Sequence, residues 1–215
     1  ALYKYRDTIL EPVALPPSRF IDPNISRILK YTGKTNEVFT RLLLNIAVFS
    51  SDFDPTDRIR LLDPIAGKGT SLFEGLVCGY DVYGIEIGNK VVTESYHFLK
   101  KYLEKEKYKH TVKGEKVSGP NKAFTAQRYH FDIARSKDDA KSKEFREFEL
   151  ISGNSINADK FYKKSFFNII VGDLPYGVQH GNVTGEKQSP FTRNPKLLLE
   201  GCLPIWKNLL AKGGV

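Results

Sequence analysis

Apolar positions along this chain alternate between two periods. "EVFTRLLLNIAVF", Glu37 to Phe49, carries them at helical spacing. "IRLLDPIAG" reads as a strand running into a glycine turn, and Thr70 to Cys78 as a helix ended by Gly79. "DVYGIEI" is a second strand and Lys90 to Lys107 a second helix. "FELISGN" is a third strand, followed by a short helix near Ile156 to Tyr162. "FFNIIVGD" is a fourth strand, and Asn194 to Ala211 the last helix. Strands alternating with helices predict an α/β class with a doubly wound, mostly parallel sheet, whose ligands sit at the strand C-termini.

Two regions break the alternation. Residues 1–36, with Pro12, Pro16, Pro17 and Pro23, read as an irregular arm ahead of a domain spanning 37–215. Residues 104–146 form a lysine-rich insertion with scattered Tyr, Phe and His. It reads either as a solvated, partly disordered excursion or as a basic arm that helps hold a nucleic acid. The closing "LAKGGV" looks like a helix end leading into another strand, so the chain shown is expected to end inside the fold.

Composition narrows the picture. A formal net charge of +8 over 215 residues leans toward a polyanionic partner. No run of about 18 apolar residues exists, so no membrane span is expected. Cys78 and Cys202 match no metal spacing, no metal is expected, and the pair reads as reduced thiols of a cytoplasmic protein. Oligomeric state is not legible.

The turn "DPIAGKGTS" lies where the first strand meets the first helix. Gly67 and Gly69 remove side chains, so a ligand can approach the backbone and the helix N-terminus. A Walker A loop fails here: Lys68 precedes Gly69 rather than Ser or Thr, and its earlier glycine position is Leu62. The strict dinucleotide pattern fails at Leu72. A carboxylate at Asp63 suits a ligand with an ammonium group, which S-adenosylmethionine has and NAD and ATP lack. Glu86, ending the second strand, can accept from both ribose hydroxyls of an adenosyl group. Asn154 either meets the adenine amine or caps a helix. Pro64, Ala66, Thr70, Ile87 and Ser155 flank these positions and complete the candidate cofactor set, together with Asp173.

"DLPY", Asp173 to Tyr176, closes the fourth strand beside the first. An exocyclic base amine is a poor nucleophile because its lone pair is delocalised into the ring. Two acceptors holding its hydrogens localise that pair. The Asp173 carboxylate is one, and the Leu174 carbonyl, aimed because Pro175 holds its residue extended, is the other. Tyr176 would stack on the base. A paired base would first be flipped out, and Asp173 is placed to take the released proton. In the loop 177–195, His180 is either a substrate contact or simply solvated.

These segments resemble the amino-methylating class I S-adenosylmethionine-dependent methyltransferases. They look most like the THUMP-associated RNA methylases, which make N2-methylguanine in tRNA. That family's D-P-x-x-G-x-G-T turn is matched by Asp63, Pro64, Gly67, Gly69 and Thr70, and its [DN]-[PL]-P-[YF]-G turn by Asp173 to Gly177. "FTRLLLNIA" looks like the helix before its first strand. The resemblance covers roughly residues 37–100 and 147–215. It implies a Rossmann-like fold, cofactor contacts from Asp63, Gly67 and Glu86, and an amine site of Asp173, Pro175 and Tyr176. Leu174 stands where proline is commoner, and the lysine-rich insertion is atypical. The expected activity is methylation of a nucleobase amine, guanine in RNA (tRNA or rRNA). Adenine in DNA or RNA, a protein glutamine amide, and a catalytically inactive RNA-binding module are the rivals, with an NAD-dependent reductase disfavoured by Leu72 and Asp63.

Overall fold

The computed structural model describes residues 3–6, 9–12, 19–31, 33–120, 124–174 and 195–215, the first two stretches by their backbone only. An antiparallel pair, β1 (Tyr3–Arg6) and β2 (Ile9–Pro12), stands apart from the main sheet. The other strands are β3 (Arg60–Asp63), β4 (Asp81–Glu86), β5 (Lys109–Ser118), β6 (Thr125–Ala134), β7 (Arg146–Ser152) and β8 (Ile169–Ile170). They form one sheet in the order β5-β6-β7-β4-β3-β8. β7, β4, β3 and β8 run parallel, while β6 is antiparallel to both β7 and β5. The order reverses at β3, which pairs with β4 on one side and with the much later β8 on the other. That is the topological switch point of a doubly wound sheet.

The helices are α1 (Asn24–Ile28), α2 (Glu37–Ser50), α3 (Thr70–Cys78), α4 (Asn89–Lys105), α5 (Lys137–Lys141), α6 (Ala158–Phe161) and α7 (Pro195–Leu209). Local chemistry sets their ends. Asn36 caps α2 by accepting from the Val38 and Phe39 N–H groups at 2.9 and 3.1 Å. Gly79, at φ +85°, ends α3 with its N–H and that of Tyr80 turned back on the last turn. One apolar cluster lies around α3, α4 and the sheet. A second, on the other face, gathers Leu62, Tyr83, Phe167, Trp206 and Leu209 under α6 and α7.

The insertion differs from a solvated excursion. Residues 109–118 and 125–134 are paired along ten positions as a hairpin, and β6 continues the sheet beyond β7. Phe131, Ile133 and Ala134 are buried by that pairing. The register sets Gln127 opposite Ser152, so the hairpin rises toward the C-terminal end of β7. The region ahead of α2 also carries more than turns: Ile21 and Ile25 are buried in the core, and the Phe20 N–H donates to the Val77 carbonyl at 2.8 Å. After α7 the chain returns to β8, where the Ile170 N–H donates to the Val215 carbonyl at 2.7 Å.

Two glycines let α3 lie close to the strands beneath it. A Cβ on Gly84 of β4 would come within 2.6 Å of Leu72 Cδ1 and 3.0 Å of Ala66 Cβ, and one on Gly75 within 2.7 Å of Leu61 Cδ2. Gly84→Ala should therefore lower stability by about 1–3 kcal/mol through overpacking, read as a reduced midpoint of chemical denaturation with unchanged slope. An unchanged midpoint would show that α3 can move away without cost.

Candidate active site

The C-terminal ends of β3, β4, β7 and β8 face one way, and the turns leaving them form one surface. The turn from β3 to α3 is tied to β4 by two bonds. The Ala66 N–H donates to the Ile85 carbonyl at 2.9 Å, and the Gly67 N–H to Glu86 Oε2 at 3.0 Å. Glu86 Oε1 accepts the Gly88 N–H at 2.8 Å, and the Glu86 carbonyl accepts the Gly153 N–H at 2.9 Å, joining the end of β7. Gly67 and Gly69 have φ of +54° and +88°, a region other residues enter only with strain. A Cβ at Gly67 would meet nothing within 4 Å, so this backbone faces open space. Ile87, next to Glu86, is 56% exposed.

Asp63 lies on the floor of this surface, 4% exposed. Its Oδ1 accepts the Ile65 N–H at 3.0 Å, and its Oδ2 accepts the Ser71 hydroxyl. Burial pushes its carboxyl up to about 7; the Ser71 and Ile65 hydrogen bonds pull it back, and the nearby Glu86 and Asp173 charges push it further up. Burial also raises Glu86, against the Gly88 and Gly67 N–H bonds that favour its ionised form. Asp173 follows β8 and is exposed. The preceding Gly172 lies against the end of β3: a Cβ there would be 3.0 Å from Ile65 Cγ1 and 3.3 Å from Asp63 Oδ1. Leu174 packs partly buried against the second apolar cluster. Pro175, Tyr176, Gly177 and His180 lie outside the described residues.

Other expected residues have mixed placements. Pro64 and Ala66 line the turn, with Ala66 buried. Thr70 opens α3, with its hydroxyl 3.0 Å from the Tyr31 hydroxyl. Asn154 acts as a cap, its Oδ1 accepting the Ile156 N–H at 3.1 Å. The Ser155 hydroxyl is buried and accepts from Trp206 Nε1 at 3.1 Å, because α7 packs across it. Ser155 thus anchors α7 by its side chain.

Two residues at this surface carry no local signal in the sequence. Tyr31 stands over the start of α3, with Lys68 Nζ 5.1 Å from its ring centroid, and burial raises its phenol above the usual range. Thr35 Oγ1 donates to Asp173 Oδ2 at 2.6 Å. The glycine and asparagine of "YTGKTN" mark a turn and a helix cap, but nothing nearby points across the sheet.

A sheet reversing at β3, with a glycine turn there and acids closing β3, β4 and β8, defines a Rossmann-like methyltransferase. The model of the family described as RMKL-like, methyltransferase domain, matches residues 33–189, well over half the chain, and the chain belongs to that family. No curated protein matches it. Among the described residues, no helix is long and apolar enough to cross a membrane.

The residues present fit S-adenosylmethionine. Open backbone at Gly67, an acid with unused lone pairs at Glu86, an exposed apolar side chain at Ile87 and a carboxylate cluster around Asp63 meet a ligand with a ribose diol, a flat base and two cationic centres.

Asp63 also leaves a mark on the free protein. Its folded carboxyl titrates near 7 against an ordinary value near 3.8. Between those values the folded state holds a proton that the unfolded state has lost, so stability falls as pH rises through this window. Wild type should lose stability relative to Asp63→Asn between pH 4 and 7, measured by urea denaturation at each pH. A difference that is flat with pH would refute the shifted carboxyl.

Proposed function

We propose that the protein transfers the methyl group of S-adenosylmethionine to an exocyclic amine of a nucleobase, guanine in RNA. The observation that carries this reading is the packing of Gly172 against Asp63, which brings the ends of β3 and β8 together closely enough for the Asp173 charge to act on the Asp63 carboxyl. The cofactor supplies a sulfonium-activated methyl. On this reading Asp63 accepts its ammonium group, Glu86 its ribose hydroxyls, and the Gly67 turn leaves room for its body.

Asp173 and the Leu174 carbonyl take the two amine hydrogens. The nitrogen lone pair is thereby turned toward the methyl, and Asp173 receives the proton released after attack. The contribution is one of orientation, which suits a reaction whose nucleophile is already present in the base. Tyr176 completes the base site by stacking.

Three features support RNA as the partner. The chain carries 33 Lys and Arg against 25 Asp and Glu. Lys109, Lys113 and Lys116 are exposed along β5, the outer strand of the hairpin that rises beside the cofactor end of β7. The sequence also resembles RNA methylases at both turns. A base in a folded RNA would have to leave its stack to reach Asp173.

The test separates binding from turnover. Asp173→Ala should reduce methylation of unmodified tRNA transcripts, assayed with labelled S-adenosylmethionine, by at least about 100-fold. Its affinity for S-adenosylhomocysteine, titrated by calorimetry, should stay within about twofold of wild type. Asp63→Ala should abolish that affinity. Full methylation by Asp173→Ala would sink the amine-site reading.

Affinity should also follow Asp63. A cationic ammonium favours the ionised carboxylate, so S-adenosylhomocysteine should bind up to about tenfold more weakly per pH unit below 7 and show little change above it. Affinity independent of pH from 5.5 to 8 would remove Asp63 as the ammonium partner.

A further inference from the structure

Thr35 and Asp173 are 138 residues apart in the chain, yet their side chains share a 2.6 Å hydrogen bond. A bond between two solvent-reached side chains is ordinarily weak, because water competes for both. Here one partner is held by structure on both sides.

Behind Thr35, the Lys34 N–H donates to the Tyr31 carbonyl at 3.3 Å, closing a turn with Gly33 at φ +78°. Tyr31 is bonded to Thr70 of α3, and Lys34 Nζ donates to the Ser26 carbonyl and pairs with Glu37 at 3.3 Å. Ahead of it, Asn36 caps α2. Both flanking helices are fastened to one fully buried acid, Glu74 of α3: Arg41 of α2 meets its Oε2 at 2.9 and 2.6 Å, and Ser26 of α1 donates to its Oε1. The segment from α1 to α2 is therefore a strap bound to α3, and Thr35 is delivered by it to the end of β8.

We propose that Thr35 is a positioning residue for the amine site: its hydroxyl fixes the Asp173 carboxylate by occupying Oδ2, leaving Oδ1 as the oxygen presented to the amine. This inference rests on the base-amine reading above. The torsion that turns an aspartate carboxylate is soft and nearly two-fold, so an exposed one sweeps a wide range. A displacement of the acceptor by about 1 Å can cost on the order of 100-fold in rate. The bond from Thr35 removes that freedom before substrate arrives, and the same strap sets Tyr31 over the start of α3.

Thr35→Val keeps the shape and removes the donor, whereas Thr35→Ser keeps the donor and removes a methyl. With unmodified tRNA transcripts, Thr35→Val should lower kcat about 10- to 100-fold. KM for S-adenosylmethionine and affinity for S-adenosylhomocysteine should stay within about twofold, and Thr35→Ser should restore most of the rate. In crystals with S-adenosylhomocysteine, the Asp173 carboxylate should hold one position in wild type and Thr35→Ser, and rotate or split in Thr35→Val.

An Asp173 carboxylate unmoved in Thr35→Val overturns the inference, as does a Thr35→Ser enzyme as slow as Thr35→Val. A wild type that binds S-adenosylhomocysteine and methylates no base in the transcripts overturns the base-amine reading instead. The paired crystal structures then still decide the role of Thr35.

Discussion

Glu86 is the constraint on which the site depends. Its two carboxylate oxygens take N–H groups from opposite directions, Gly67 in the turn after β3 and Gly88 at the start of α4, while its carbonyl takes Gly153 after β7. One residue thus sets the relative positions of three strand ends. Even a partly buried carboxylate is costly unless its oxygens are satisfied, and two backbone donors meet that need while leaving lone pairs over. The turn can then hold Gly67 in a left-handed conformation with its open side facing outward, instead of collapsing onto the sheet.

Much of this was legible because it is local. Gly69 and Gly79 bracket α3, and the apolar runs before Asp63, Glu86 and Asp173 each end in an acid at the C-terminal end of a parallel strand. Position along a parallel strand translates directly into position at the site, so those three acids could be placed together from order alone. The hairpin was not legible for a physical reason. β5 is an edge strand whose alternation is interrupted by Lys113, Gly114, Glu115 and Lys116, all exposed, so it looks like solvated chain until β6 pairs with it. Asn154 and Ser155 show a second limit. Polar residues after a strand suit a ligand and a cap equally, and here the cap at Ile156 and the bond from Trp206 engage them.

The strap shows a third limit. Tyr31 and Thr35 stand in a stretch with prolines before it and a helix cap at its end, which local patterns read as connection. Their partners, Thr70 and Asp173, lie on elements formed much later in the chain. The buried Glu74 is central to the arrangement, since α1 and α2 both satisfy it. Such an acid inside "TSLFEGLVC" breaks an otherwise apolar helix, and that break is the one local sign that another segment must come to α3.

Electrostatics then argues for the kind of cofactor. Asp63, Glu86 and Asp173 stand near enough that the last two help raise the first, and burial raises Asp63 and Glu86 against hydrogen bonds that oppose it. A pyrophosphate brought to this turn would add negative charge to acids already reluctant to ionise. A ligand with an ammonium and a sulfonium does the reverse: it stabilises the ionised carboxylates and is held by them. The same glycine turn that admits dinucleotides in other sheets is therefore biased here, by three side chains rather than by its backbone, toward a cationic adenosyl compound. The bias is strongest at Asp63, the most deeply buried of the three, where a neighbouring cation offsets the cost of ionising the carboxyl.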